Sequence, residues 1–200
     1  VIATRLYELF AIIGIKLIGI KINLSGEHLV NKNQSYVVVS NHPSTIDIFT
    51  HIHILPVSIR FLTKAELFKI PIFGSALKIL GLPKVDRRKA TKKEINKSVE
   101  EVIDNNNSIM VFAEGTRTDS DKDLLPFKKG AAWLAVKYKL PILPVVTNNA
   151  EKLMPRGKIW LKSGDVDIEI LEPIDTGHMT LLDVGNLTIE LENLIKSKIK

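Results

Sequence analysis

Apolar positions in this chain follow two rhythms, one helical and one strand-like, and they alternate along its length. From Ala3 to Ile22 the residues Leu6, Leu9, Phe10, Ile13, Leu17 and Ile20 recur at helical spacing, while Arg5, Glu8, Lys16 and Asn23 gather on one narrow side. Ile20 to Leu24 also reads as a short strand that ends at Ser25-Gly26. Tyr36-Val37-Val38-Val39 is a short β-branched run, predicted as a buried strand. Pro43 then breaks the strand, and Ser44 is placed to N-cap a helix through Ile48 and Phe49 to Leu55. Ser58 to Thr63 is the next strand, leading into Lys64-Ala65-Glu66-Leu67-Phe68. Pro71 opens a helix over Ile72 to Leu80, which Gly81 stops. Val85-Asp86-Arg87-Arg88 reads as a short strand and its exit, and Lys92 to Asp104 as a helix burying Ile95, Val99, Val102 and Ile103. Ser108 to Phe112 is a strand that delivers Ala113-Glu114-Gly115-Thr116-Arg117. A helix from Ala131 to Tyr138 and a strand from Pro141 to Val146 follow. Lys158 to Leu171 is predicted as a hairpin turning near Ser163-Gly164-Asp165, and Leu182 to Ile199 as a closing helix. Strands that alternate with helices predict a single-domain α/β layered fold, its central sheet largely parallel or mixed and flanked by helices.

Charge and composition narrow the possible partners. Arg5, Glu8, Lys16 and Lys21 leave no uninterrupted apolar run of about 20 residues, so the first helix is not expected to span a bilayer. Its wide apolar face must be buried in the core or in a membrane surface, and its basic residues favour the surface, where they meet anionic headgroups. The net charge of +6 points to an anionic partner, but 6% aromatic content without an aromatic RNA-binding motif argues against nucleic acid. There is no cysteine, which excludes disulfides, thiolate metal sites and an acyl-cysteine intermediate. The sequence begins at Val1 rather than Met, so residues upstream are expected, and no signal peptide is visible in what is given.

The candidate chemistry centres on Ser40-Asn41-His42-Pro43-Ser44-Thr45-Ile46-Asp47. A strand-turn-helix junction holds side chains at the sheet edge, where α/β proteins bind ligands. Asp47 is close enough in sequence to hold one ring nitrogen of His42 while the other faces a substrate. The same Ser44-x-x-Asp47 spacing is a capping-box pattern, in which Asp47 serves only the helix and His42 is an ordinary loop histidine. His51 and His53 follow on that helix without metal-ligand spacing and read as packed or surface side chains. Three further strand exits carry Lys64, Arg87, and Glu114 with Arg117. Guanidinium groups near helix N-termini suit a phosphate.

These blocks resemble the glycerolipid acyltransferases, most closely the lysophosphatidic acid acyltransferases. The first block is Asn41-His42-Pro43-Ser44-Thr45-Ile46-Asp47 and the second Gly81-Leu82-Pro83-Lys84-Val85-Asp86-Arg87, where Pro83-Lys84-Val85 replaces the usual aromatic and isoleucine. The third is Phe112-Ala113-Glu114-Gly115-Thr116-Arg117-Thr118 and the fourth Pro141-Ile142-Leu143-Pro144-Val145, with Lys64-Ala65-Glu66-Leu67 between the first two blocks. The likeness runs from Ile22 to Val146, in order.

The resemblance implies transfer of an acyl group from a thioester to the sn-2 hydroxyl of 1-acylglycerol-3-phosphate, giving phosphatidic acid. His42 is then the general base and Asp47 its orienting partner. Arg87, Glu114, Gly115, Thr116, Arg117 and Lys64 are implied to hold the glycerol phosphate, Glu114 by orienting Arg117 or by accepting from a glycerol hydroxyl. Another lysophospholipid, or glycerol phosphate itself, is an alternative acceptor of the same chemistry. No metal and no cofactor are implied; acyl-CoA or acyl carrier protein supplies the thioester. Residues 1–22 are expected as an interfacial membrane helix and residues 23–200 as the acyltransferase domain, on the cytoplasmic face of a membrane. A non-catalytic lipid-binding module would leave His42 and Asp47 to a turn and cap. A hydrolase would need a two-metal carboxylate cluster or a Gly-x-Ser-x-Gly elbow, and neither is present.

Overall fold

The computed structural model describes residues 9, 12–61, 63–64, 68–69, 84–85, 92–116, 124–154 and 161–200. Its strands are β1 (Ile20–Ser25), β2 (Val37–Ser40), β3 (Ile59–Phe61), β4 (Thr63–Lys64), β5 (Lys84–Val85), β6 (Ser108–Phe112), β7 (Ile142–Asn148) and β8 (Gly164–Ile170). Six of them form one sheet in the order β1-β8-β7-β2-β6-β3, and β4 pairs with β5 separately. Every neighbour pair in the large sheet is parallel except β7 with β8. The mixed sheet expected from the alternation is the one observed.

The β-branched composition of β2 explains its central place. Val37, Val38 and Val39 are all fully buried, as a parallel strand covered on both faces requires. Successive side chains of a strand point to opposite faces, so Tyr36 and Val38 enter one core and Val37 and Val39 the other. The first core also takes Ile15 from a helix at residues 12–18 and Ile52 from the Asp47–Ile54 helix. The second takes Val99 and Val102 from the Lys92–Asp104 helix, Leu134 and Ala135 from Gly130–Tyr138, and Leu187, Leu191 and Ile195 from Val184–Lys196. The result is a three-layer sandwich, helices on either side of the sheet.

Several expected boundaries are corrected. The N-terminal helix does not run to Ile22: it stops at Ile18, Gly19 turns with φ of 75°, and Ile20 and Ile22 belong to β1. Lys158 to Trp160 of the expected hairpin lie outside the described residues, and the described residues 161–171 do not turn back at Ser163-Gly164-Asp165. Leu161 to Ser163 carry no strand, and β8 instead pairs in parallel with β1 and antiparallel with β7. β8 alternates between buried and more exposed positions, and its partners come from remote strands because pairing is a tertiary choice. The last helix begins at Val184, not Leu182, since both the N–H and the hydroxyl of Thr180 donate to Asp183 and hold the preceding turn. The predicted helix over Ile72 to Leu80 lies outside the described residues.

Among the described residues no helix is long and apolar enough to cross a membrane. The helix at residues 12–18 buries Ile15 but leaves Ile13 and Leu17 exposed, Leu17 by 83%. Leu9, one helical turn before Ile13, is exposed as well.

The central strands carry both cores, so truncation there is costly. Leu143→Ala should lower the unfolding free energy by about 2–5 kcal/mol, read from urea denaturation.

Candidate active site

Parallel strands end on one side, and β2 and β6 therefore deliver their following loops to the same place. Ser40 pairs with Phe112 in register, so Asn41-His42 and Ala113-Glu114 leave the sheet side by side. The pairing continues past both strands, the Ala113 N–H donating to the Ser40 carbonyl at 3.2 Å. On the other flank Asn41 extends β2 with its side chain. Its amide nitrogen donates to Thr147 O at 2.8 Å, and its amide oxygen accepts from Thr147 N at 2.8 Å.

His42 and Asp47 meet as expected. Nδ1 of His42 lies 2.9 Å from Oδ2 of Asp47, with the aspartate fully buried and the histidine side chain 13% exposed. A carboxylate oxygen only accepts, so Nδ1 carries a proton, and in the neutral ring Nε2 holds the lone pair. Nε2 has no hydrogen-bond partner among the described residues. The imidazole lies flat on Phe112, ring centroids 3.7 Å apart and planes 7° from parallel, which fixes the direction in which Nε2 points.

Asp47 also accepts the Ser44 N–H on the same Oδ2, at 2.8 Å. Half of the capping box is thus real, and it coexists with the histidine bond. The other half is corrected: Ser44 makes no side-chain cap, because its hydroxyl donates to Met154 O at 3.0 Å. The helix starts at Asp47 after Ile46, and three i→i+3 bonds from Ser44, Thr45 and Ile46 lead into it. The second carboxylate oxygen, Oδ1, is buried without a hydrogen-bond partner among the described residues.

Glu114 is expected to help hold the glycerol phosphate, by orienting Arg117 or by accepting from a glycerol hydroxyl. The structure places it in the interior, where Oε1 accepts the His42 N–H at 2.9 Å and Oε2 accepts the Leu125 N–H at 3.0 Å. It ties the His42 loop to the loop after β6. Gly115 follows with φ of 73°, a region costly for other residues, and a Cβ there would lie 2.7 Å from Lys128 Nζ. The fold thereby brings the ammonium of Lys128 over the third sequence block, where Thr116 is exposed. Lys64 lies in β4 beside β5, and only its backbone is described. Arg87 and Arg117 lie outside the described residues.

His51 is the residue whose setting the sequence did not disclose. It is fully buried one helical turn after Asp47, a spacing that was the available signal. Nδ1 donates to Asp47 O at 2.6 Å, and Nε2 faces the hydroxyls of Ser40 at 3.2 Å and Thr147 at 3.4 Å. Burial pushes its pKa below the ordinary histidine value, outweighing the upward pull of Asp47. The neutral ring is the form the fold requires.

Two outcomes follow. Glu114→Gln can accept only one of the two amides it now serves, so it should cost about 1–3 kcal/mol in urea unfolding. For His51 the folded state disfavours protonation, so its stabilising contribution is complete above the ordinary value of 6.5 and is lost as pH falls below it. The unfolding midpoint of the wild type should therefore drop more steeply from pH 7.5 to 5 than that of His51→Gln; parallel slopes would contradict this.

Known proteins resemble this chain in sequence and in fold. A family model described as acyltransferase matches residues 21–148. The chain is similar to the 1-acyl-sn-glycerol-3-phosphate acyltransferase of Saccharomyces cerevisiae, 32% identical over 187 residues that cover 92% of this chain and 61% of that protein. It is similar to the human 1-acyl-sn-glycerol-3-phosphate acyltransferase beta at 32% over 171 residues, covering 84% of this chain and 61% of that one. It thus spans 61% of the length of both relatives. Its fold matches the crystal structure of the 1-acyl-sn-glycerophosphate acyltransferase from Thermotoga maritima with a TM-score of 0.82 and 27% identity, covering 98% of this chain and 78% of that one. With the family model accounting for the strands and loops that build the site, this chain belongs to the acyltransferase family.

Proposed function

We propose that the protein transfers an acyl group from a thioester to the sn-2 hydroxyl of 1-acylglycerol-3-phosphate, giving phosphatidic acid. The observation that carries the reading is the His42–Asp47 pair. A buried carboxylate holds Nδ1, and Nε2 has no hydrogen-bond partner among the described residues, at the carboxyl ends of parallel strands in a chain of this family. The names of the relatives supply the acceptor.

In this mechanism Nε2 of His42 takes the proton of the acceptor hydroxyl as its oxygen attacks the thioester carbonyl. The new C–O bond forms, and the tetrahedral intermediate collapses with loss of the C–S bond. The imidazolium returns the proton to the departing thiolate. Asp47 keeps the tautomer and stabilises the imidazolium while it exists. General-base assistance of this kind supplies about 10²–10⁴-fold, and the alignment of two bound substrates supplies much of the remainder. No metal or prosthetic group enters the scheme, and the thioester, acyl-CoA or acyl carrier protein, is a co-substrate.

The acceptor phosphate is assigned to Arg87, Arg117 and Lys64, with the Gly115-Thr116 turn beneath it. Lys128 adds a positive charge over that turn. Glu114 acts at one remove, by holding the His42 main chain. Leu9, Ile13 and Leu17, exposed at four-residue intervals, support a place at a membrane surface, which we assign to the cytoplasmic face.

The test is thiol release by purified protein in lipid vesicles with lysophosphatidic acid and an acyl-CoA, followed together with phosphatidic acid. His42→Ala should reduce the rate by roughly 10²–10⁴-fold with its fold retained. Equal rates in the two proteins would remove His42 as the base. Turnover with lysophosphatidylglycerol but not lysophosphatidic acid would move the assignment to another acceptor.

A further inference from the structure

His51 takes no part in the chemistry above, yet it touches its own helix and three strands that locate that chemistry. Its ring donates to the carbonyl of Asp47, at the first residue of the helix that carries the orienting carboxylate. Its other nitrogen meets hydroxyls at the ends of two strands: Ser40, the last residue of β2 before Asn41-His42, and Thr147 of β7. Its edge points at Phe112, with centroids 5.9 Å apart and planes at 86°, and the same Phe112 is the platform on which His42 stacks.

We propose that His51 is a positioning residue for the His42–Asp47 pair. The imidazole joins helix, strand ends and aromatic platform into one rigid support, so the ring and carboxylate of the pair keep their spacing while the His42 ring gains and gives up its proton. The role belongs to an imidazole because one ring must donate at Nδ1 and accept at Nε2, with an apolar edge between. The Thr50 hydroxyl also reaches the Asp47 carbonyl, at 3.2 Å, but it contacts neither strand end. The proposal rests on His42 being the base, and its test separates the two claims.

Three variants divide the contacts. His51→Phe keeps the ring and loses both polar contacts. His51→Asn keeps a donor near Nδ1, and His51→Gln places an amide near Nε2. Each is assayed for kcat and KM with lysophosphatidic acid and acyl-CoA, per mole of folded protein by circular dichroism. In each, the downfield ring N–H proton of His42 is recorded by NMR and assigned by its loss in His42→Ala.

We expect kcat of His51→Phe to fall roughly 10–100-fold, within what general-base assistance supplies, with both KM values changed by less than about twofold. The His42 ring proton should broaden through faster exchange, and His51→Asn should recover most of both signals. A folded His51→Phe with kcat within twofold of wild type and an unchanged ring proton would overturn the proposal. So would a loss expressed in KM. If His51→Phe does not fold, the Asn and Gln variants decide: both indistinguishable from wild type in kcat and ring proton would also overturn it. Retained turnover in His42→Ala would sink the base assignment alone, since the ring-proton comparison does not depend on catalysis.

Discussion

One buried carboxylate oxygen organises this site. Oδ2 of Asp47 accepts from the His42 ring and from the Ser44 main chain at once, so a single atom locates both the imidazole and the turn that carries it. Burying a carboxylate costs several kcal/mol. A helix N-terminus returns only about 0.3–2 kcal/mol of that. The two hydrogen bonds, each to a charged acceptor, are therefore what make the position tolerable. They are also what make it specific, because either donor displaced would leave the carboxylate further unsatisfied.

A second buried carboxylate completes the grip on His42. Glu114 holds the backbone N–H of the residue whose ring Asp47 holds, and Phe112 supports the flat of that ring. His42 is thus fixed at its main chain, at Nδ1 and over its face, and Nε2 is without a partner among the described residues. The general-base role proposed for His42 calls for such an arrangement, with one nitrogen open and the rest of the residue held.

The supports come from distant parts of the chain, brought together by the parallel pairing of β2 with β6 and β7. Asn41 and Thr147 are 106 positions apart, and His42 and Glu114 are 72 apart. Because the strands are parallel, all three exits face one side, and one layer of loops collects their polar ends. The helices beneath bury apolar stripes on both faces of the sheet, leaving the site on rigid elements. The N-terminal helix departs from this division, with Ile15 in the core and Leu17 open to the surroundings.

What the sequence determined by itself is what local chemistry decides. The short apolar runs at Val37–Val39 and Ile109–Val111 pointed to buried strands, the 3.6-residue stripe of Lys92–Asp104 to an amphipathic helix, and five positions were short enough for Asp47 to reach His42. Those interactions close within one turn or one element. The partners of β8, the hydroxyl of Ser44 turned to Met154, the interior place of Glu114 and the support given by His51 were decided only by tertiary structure. Each depends on a donor or acceptor from a remote strand or loop, and a buried polar group must find whatever partner the fold brings to it. A sequence can announce that a carboxylate follows a strand; which amides will meet it is settled when the strands are laid side by side.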